Sequence, residues 1–158
     1  VEEDFDKAIE TYRLLMATYP DDFAAQSNMG ALLRQLGRLD EALPLIEAAT
    51  RTAPDQSSPH INLGFALVEA GRLADARAAF DRAAAIQDST VARMGLFMVG
   101  VLGQDDALAR AQLEAAPGRR DASLIYGLAV QAAMYKGQAA RALTLADQWR
   151  QAMLKEGQ

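Results

Sequence analysis

The sequence predicts an all-α repeat protein, a solenoid of antiparallel helix hairpins, on three observations. Alanine supplies 33 of the 158 residues while aromatics stop at 6%, a mix that favours helix over strand. Laid against itself at an offset of 34, the chain aligns Pro20 with Pro54 and Asp88, Ala8 with Ala42 and Ala76, Tyr12 with Ile46 and Phe80, and Phe5 with Leu39 and Leu73. The small residues keep the same phase, Gly30 with Gly64, Gly37 with Gly71 and Ala49 with Ala83, as does Asn28 with Asn62.

Residues 1–22 read as the second helix of a truncated unit, with Phe5, Ala8, Tyr12, Leu15 and Pro20 in phase. Residues 23–56 form a full unit: a helix over 24–36, a turn at Gly37-Arg38, and a helix over 39–52 that stops before Pro54. Gly37 and its counterpart Gly71 can take the left-handed conformation that ends a helix, and Asp40 and Asp75 place negative charge at the start of the next one. Gly30, Gly64, Ala42 and Ala76 let paired helices approach closely, while Leu33, Leu39, Leu43 and Ile46 fill the space between hairpins at helical spacing. Residues 57–90 repeat this pattern. Gly137 and Ala142 lie 66 residues after Gly71 and Ala76, two repeats less two residues, so 91–122 is a shortened, degenerate unit with helices over 91–102 and 105–116 closed by Pro117-Gly118. Residues 123–158 make a degenerate capping hairpin, with helices over 123–136 and 138–156.

Asn28-Met29-Gly30, Gly37-Arg38-Leu39-Asp40-Glu41-Ala42, Ala49 and Pro54, followed by Asn62-Leu63-Gly64, Gly71-Arg72-Leu73, Ala76, Phe80 and Ala83, together resemble the tetratricopeptide repeat. The resemblance covers 23–90 and weakens after residue 90. In the last hairpin Ala129, Val130 and Ala133 stand where larger residues or glycine are usual, and Trp149 replaces a small residue, either as a lid on the exposed edge or as core filling. The resemblance implies a right-handed superhelix whose concave wall is lined mainly by the first helix of each unit. Its lining positions are Ala24, Ser27, Asn28, Ala31, Arg34 and Gln35, then Ser58, Ile61, Asn62, Phe65, Val68 and Glu69, then Ala92, Gly95, Leu96, Val99 and Leu102. From these the expected partner-binding residues are Asn28, Arg34, Ile61, Asn62, Phe65, Val68, Glu69, Leu96 and Val99. Asn28 and Asn62 fit the asparagines of family members that grip a peptide's terminal carboxylate, but 91–102 holds only Arg93 where cations would be needed, which argues against such a clamp. The wall turns apolar at Ile61, Phe65, Val68, Leu96, Val99 and Leu102, with Met94 and Met98 nearby, so either a partner's amphipathic helix or the chain's own C-terminal hairpin is expected to cover it.

Composition and motifs exclude several chemistries. Sixteen basic against 21 acidic residues give a net charge of −5, without the clustered cations a nucleic-acid backbone requires. With no cysteine there is no disulfide, zinc finger or thiol chemistry. No run reaches the roughly 18 apolar residues of a membrane span. His60 is the only histidine, Asp21-Asp22 and Asp105-Asp106 sit where helices begin and read as caps, and no phosphate-binding glycine loop occurs. The adjacent cations of Gly118-Arg119-Arg120 read as a solvated loop. No catalytic residue, metal or cofactor is expected. The acidic start Val1-Glu2-Glu3-Asp4 and the missing initiator Met suggest a piece of a longer bacterial protein, cytoplasmic or periplasmic.

The expected function is a protein–protein interaction module, an adaptor or assembly factor taking a peptide or amphipathic helix. Similar repeat proteins serve pili, secretion and envelope machines. The alternatives are a scaffold that forms homo-oligomers through its repeat ends, and the recruiting domain of a larger enzyme.

Overall fold

A computed structural model describes residues 2–157; Val1 and Gln158, which open the first and close the last expected unit, lie outside it. Among the described residues there are nine helices and no strand. They divide into two compact units, Val1–Gln87 and Asp88–Gln158.

The first unit holds α1 (Glu2–Thr18), α2 (Phe23–Gln35), α3 (Leu39–Thr52), α4 (Ser57–Glu69) and α5 (Leu73–Ile86), of which α2 with α3 and α4 with α5 form antiparallel hairpins. Asp22 caps α2, its carboxylate accepting the Ala25 N–H at 2.9 Å. Both hairpin turns close alike: Gly37 (φ 74°) donates to Arg34 O and Arg38 to Leu33 O, and Gly71 (φ 74°) donates to Val68 O and Arg72 to Leu67 O. The hairpins cross where a glycine meets a large side chain, since a Cβ on Gly64 would lie 2.6 Å from the Phe80 ring and one on Gly30 would collide with Ile46. Ile46 and Phe80 are wholly buried. Two bonds repeat at the unit period: Gln26 Nε2 donates to Pro20 O at 2.7 Å, and 34 residues later His60 Nε2 donates to Pro54 O at 3.1 Å. The lone histidine is therefore a strap between a helix and the loop before it.

α1 is less bare than its expected missing partner suggests. Ile9 is buried in one core with Met29, Leu33, Ala42 and Ile46, and Tyr12 and Met16 pack against that core, leaving Leu14 and Tyr19 as the large exposed apolar residues of this segment.

The second unit holds α6 (Thr90–Leu102), α7 (Asp106–Glu114), α8 (Ala122–Tyr135) and α9 (Ala139–Glu156). Ser89 and Asp105 cap α6 and α7, accepting from Ala92 N and Leu108 N. The α6–α7 turn repeats the earlier closure, with Gln104 N to Val101 O and Asp105 N to Gly100 O, but its left-handed residue is Gln104 (φ 57°) and not the neighbouring Gly103. α6 and α7 cross backbone to backbone, for a Cβ on Gly100 would stand 2.7 Å from Ala109 N.

The α8–α9 hairpin reverses the sizes found in α4–α5. At the 66-residue offset Ile61 and Ala83 become Gly127 and Trp149, while Gly64 and Phe80 become Val130 and Ala146. A Cβ on Gly127 would lie 3.2 Å from the Trp149 ring, so the indole fills space that Ile61 occupies in the earlier hairpin, yet it stays 38% exposed. Trp149 thus combines core filling with cover at the edge. The core of this unit gathers Phe97, Ala109, Ala116, Ile125, Tyr126 and Val130.

Candidate functional site

Seven of the nine expected partner-binding residues stand on α2 and α4. Two links at the same 35-residue offset hold these helices in register: Asn62 Nδ2 donates to Ser27 Oγ at 2.9 Å, and Arg34 pairs with Glu69. Arg34 also lies 5.7 Å from the centre of the Phe65 ring, which in turn meets Phe80 edge-on at 5.1 Å. Arg34, Phe65 and Glu69 are therefore one connected group, and Asn62 with Ser27 is a separate link between the same two helices. The amide of Asn62 is engaged within the protein, while Asn28 is exposed on α2; Ile61 and Val68 are half-buried. Arg34 is committed to Glu69, so a ligand carboxylate would have to displace that side chain.

Leu96 and Val99, the two expected residues on α6, are covered. Each is buried to 5% exposure. The physical reason is the composition of α6, which carries one charge in thirteen residues and must bury most of its circumference, including Ala92, Gly95, Phe97 and Gly100. The chain covers one side of α6 with α7 and α8, leaving Met94, Met98 and Val101 half-buried and Leu102 55% exposed.

Those remaining residues form an open groove with α8. It encloses about 330 Å³ and is lined by Phe97, Met98, Val101 and Leu102 on one side and Leu128, Gln131, Ala132 and Tyr135 on the other. Tyr135 is 94% exposed. A second cleft of about 400 Å³, sharing Leu128 and Gln131, carries the apolar surface along α8 past Met94 and Leu124 to Trp149. The α8 residues were missing from the expected wall although the signal was present: adding 66 to Ser58, Asn62, Phe65 and Glu69 gives Leu124, Leu128, Gln131 and Tyr135.

Among the described residues no three His, Asp or Glu side chains gather as a metal would require, and no helix is long and apolar enough to cross a membrane. At the N-terminus of α6, Asp88 accepts hydrogen bonds from Arg93 at 2.7 Å and from Arg119. These bonds, Arg93's first, hold its carboxyl down to about 2, against the smaller opposing effect of burial.

The family model of the tetratricopeptide repeat matches residues 2–60 and 33–97, more than half of the chain. The chain belongs to the tetratricopeptide repeat family. Solved tetratricopeptide repeat structures share its α-solenoid fold at low identity. A type IV pilus biogenesis factor, PilW, is 19% identical with a TM-score of 0.82, over 96% of this chain and 71% of that one. MamA is 19% identical with a TM-score of 0.70, over 99% and 92%. YrrB, described as a tetratricopeptide repeat protein with an unusual peptide-binding site, is 21% identical with a TM-score of 0.65, over 95% and 78%. No curated protein matches the sequence. In tetratricopeptide repeat terms, α2, α4, α6 and α8 are the first helices of their hairpins.

Proposed function

We propose that this tetratricopeptide repeat chain is an adaptor or assembly factor that captures the apolar face of a partner's peptide or amphipathic helix, within a bacterial assembly such as a pilus, secretion or envelope machine. The observation that carries the reading is the α6–α8 groove, where seven of eight lining residues are apolar, one of them a methionine. Such a surface costs free energy in water and is suited to apolar ligands of varied shape, because an unbranched thioether adapts to what it touches. Burying about 600 Å² of apolar peptide surface contributes about 15 kcal/mol gross, and ordering costs reduce this to micromolar affinity. The description of YrrB as peptide-binding and of PilW as a pilus factor supports the class of role. The reading assigns no catalysis to the chain.

The test is a fluorescence anisotropy titration with a labelled amphipathic helical peptide bearing a Leu/Met face. Micromolar binding is expected, weakened at least tenfold by Leu128→Glu or Tyr135→Glu, with the melting temperature of the Tyr135 variant unchanged. Absent binding, or binding indifferent to both substitutions, contradicts the proposal.

A further inference from the structure

α2 and α4 are each strapped to the loop before them, and α8 is not. The straps are Gln26 to Pro20 O and His60 to Pro54 O, and Arg82 of α5 adds a second bond to Pro54 O at 3.1 Å. Adding 66 to His60, Arg82 and Pro54 gives Tyr126, Gln148 and Arg120. The Arg120 carbonyl is taken instead by Thr90, whose hydroxyl donates to it at 2.7 Å. Tyr126 is thus buried to 7% exposure without a hydrogen-bond partner for its hydroxyl among the described residues, and the Gln148 amide has none either. A buried hydroxyl left so is a cost that folding does not recover.

Both side chains line an open cavity of about 590 Å³ between the 117–120 loop, the start of α8 and the last turns of α9. Its charge is opposite to the chain's: Arg119, Arg120 and Lys155 against Glu156 give 3 − 1 = +2, whereas the whole chain carries −5. Two of these four charges are already engaged. Arg119 pairs with Asp88 and donates to Ala115 O, and the Glu156 carboxylate accepts from the N–H and the hydroxyl of Ser123 at 2.9 and 2.6 Å. Arg120 and Lys155 have no ion-pair partner among the described residues.

We propose that this cavity binds the phosphate monoester of a small molecule. The donors left over are two cations, a phenolic hydroxyl and a carboxamide, which match the two charges and three terminal oxygens of the dianion. A carboxylate offers one charge and two oxygens and would leave donors idle. The volume falls within the range of small-molecule sites, about 300–1,000 Å³, and Pro117, Ala122 and Ala152 offer apolar contact to the body of the ester. The cavity shares no lining residue with the α6–α8 groove or the cleft beside it.

Isothermal titration calorimetry on the whole chain with phenyl phosphate tests this, alongside benzoate, a monoanion with the same ring. Saturable one-to-one binding of phenyl phosphate with a Kd on the order of 0.1–1 mM is expected, and at least tenfold weaker binding of benzoate. Arg120→Gln with Lys155→Gln is expected to weaken the ester at least tenfold. Tyr126→Phe is expected to weaken it at least threefold with the melting temperature unchanged or raised, since the hydroxyl removed has no partner in the fold. Heat without saturation, benzoate binding as tightly as the ester, or a Kd indifferent to these substitutions overturns the proposal. So does a phosphoserine peptide that binds at least tenfold tighter than phenyl phosphate, which would assign the cavity to a phosphorylated protein.

Discussion

Three of the four hairpin turns place a glycine at the left-handed position, Gly37, Gly71 and Gly137, and the α6–α7 turn places Gln104 there. A side chain in that conformation costs about 1–2 kcal/mol, while glycine adds about 0.5–1 kcal/mol of backbone entropy to be lost on folding. Gln104→Gly is therefore expected to raise stability by about 0.5–1 kcal/mol in urea unfolding. The opposite holds at Gly100, where a methyl group meets the Ala109 backbone and not a yielding side chain; Gly100→Ala is expected to cost about 1–3 kcal/mol. His60 and Gln26 donate to equivalent proline carbonyls, so His60→Gln should leave stability unchanged while His60→Ala loses about 1 kcal/mol. The glycine phases at 30, 37, 64 and 71 were legible because each glycine recurs after 34 residues. Gln104 was not, because Gly103 beside it looks like the turn residue yet sits at φ −82°.

At the scale of elements, helix spans were legible to within one or two residues, since caps, glycines and prolines punctuate every hairpin. The facing of α6 was not. Its apolar residues run around the whole helix, so periodicity could not tell Leu96 and Val99, which are buried, from Met98 and Leu102, which line the groove. The reversed sizes in α8–α9 were half visible: Val130 and Trp149 stood out as departures, but their compensation by Ala146 and Gly127 needed the structure. Trp149→Ala is expected to destabilise by about 2–4 kcal/mol. Adding Gly127→Ile, which restores the Ile61 and Ala83 arrangement, should recover a measurable part, with a coupling of about 0.5–3 kcal/mol in a double-mutant cycle. Asp88 ties the start of α6 to the loop before α8 through Arg93 and Arg119. Its carboxyl is depressed from 3.8 to about 2, so its stabilising contribution is complete above about pH 4 and is lost as the pH falls toward 2. Asp88→Asn should flatten the stability change between pH 4 and 2, read from urea midpoints across that range.

For the whole molecule, the proposed function rests on surface that folding leaves open. The α2–α4 wall satisfies much of its own polarity through Asn62 with Ser27 and Arg34 with Glu69, whereas the α6–α8 groove exposes apolar side chains without internal cover. On the function proposed above, partner capture belongs first to the groove and second to the exposed surface of α2 and α4. A photo-reactive phenylalanine analogue placed at Tyr135 in the groove, and separately at Leu14 on α1, which is 65% exposed against 94% for Tyr135, distinguishes capture in the groove from a generally adhesive surface. On irradiation with the amphipathic helical peptide, the account predicts a cross-linked adduct from position 135 and none from position 14. Adducts at both positions alike, or at position 14 alone, would contradict it.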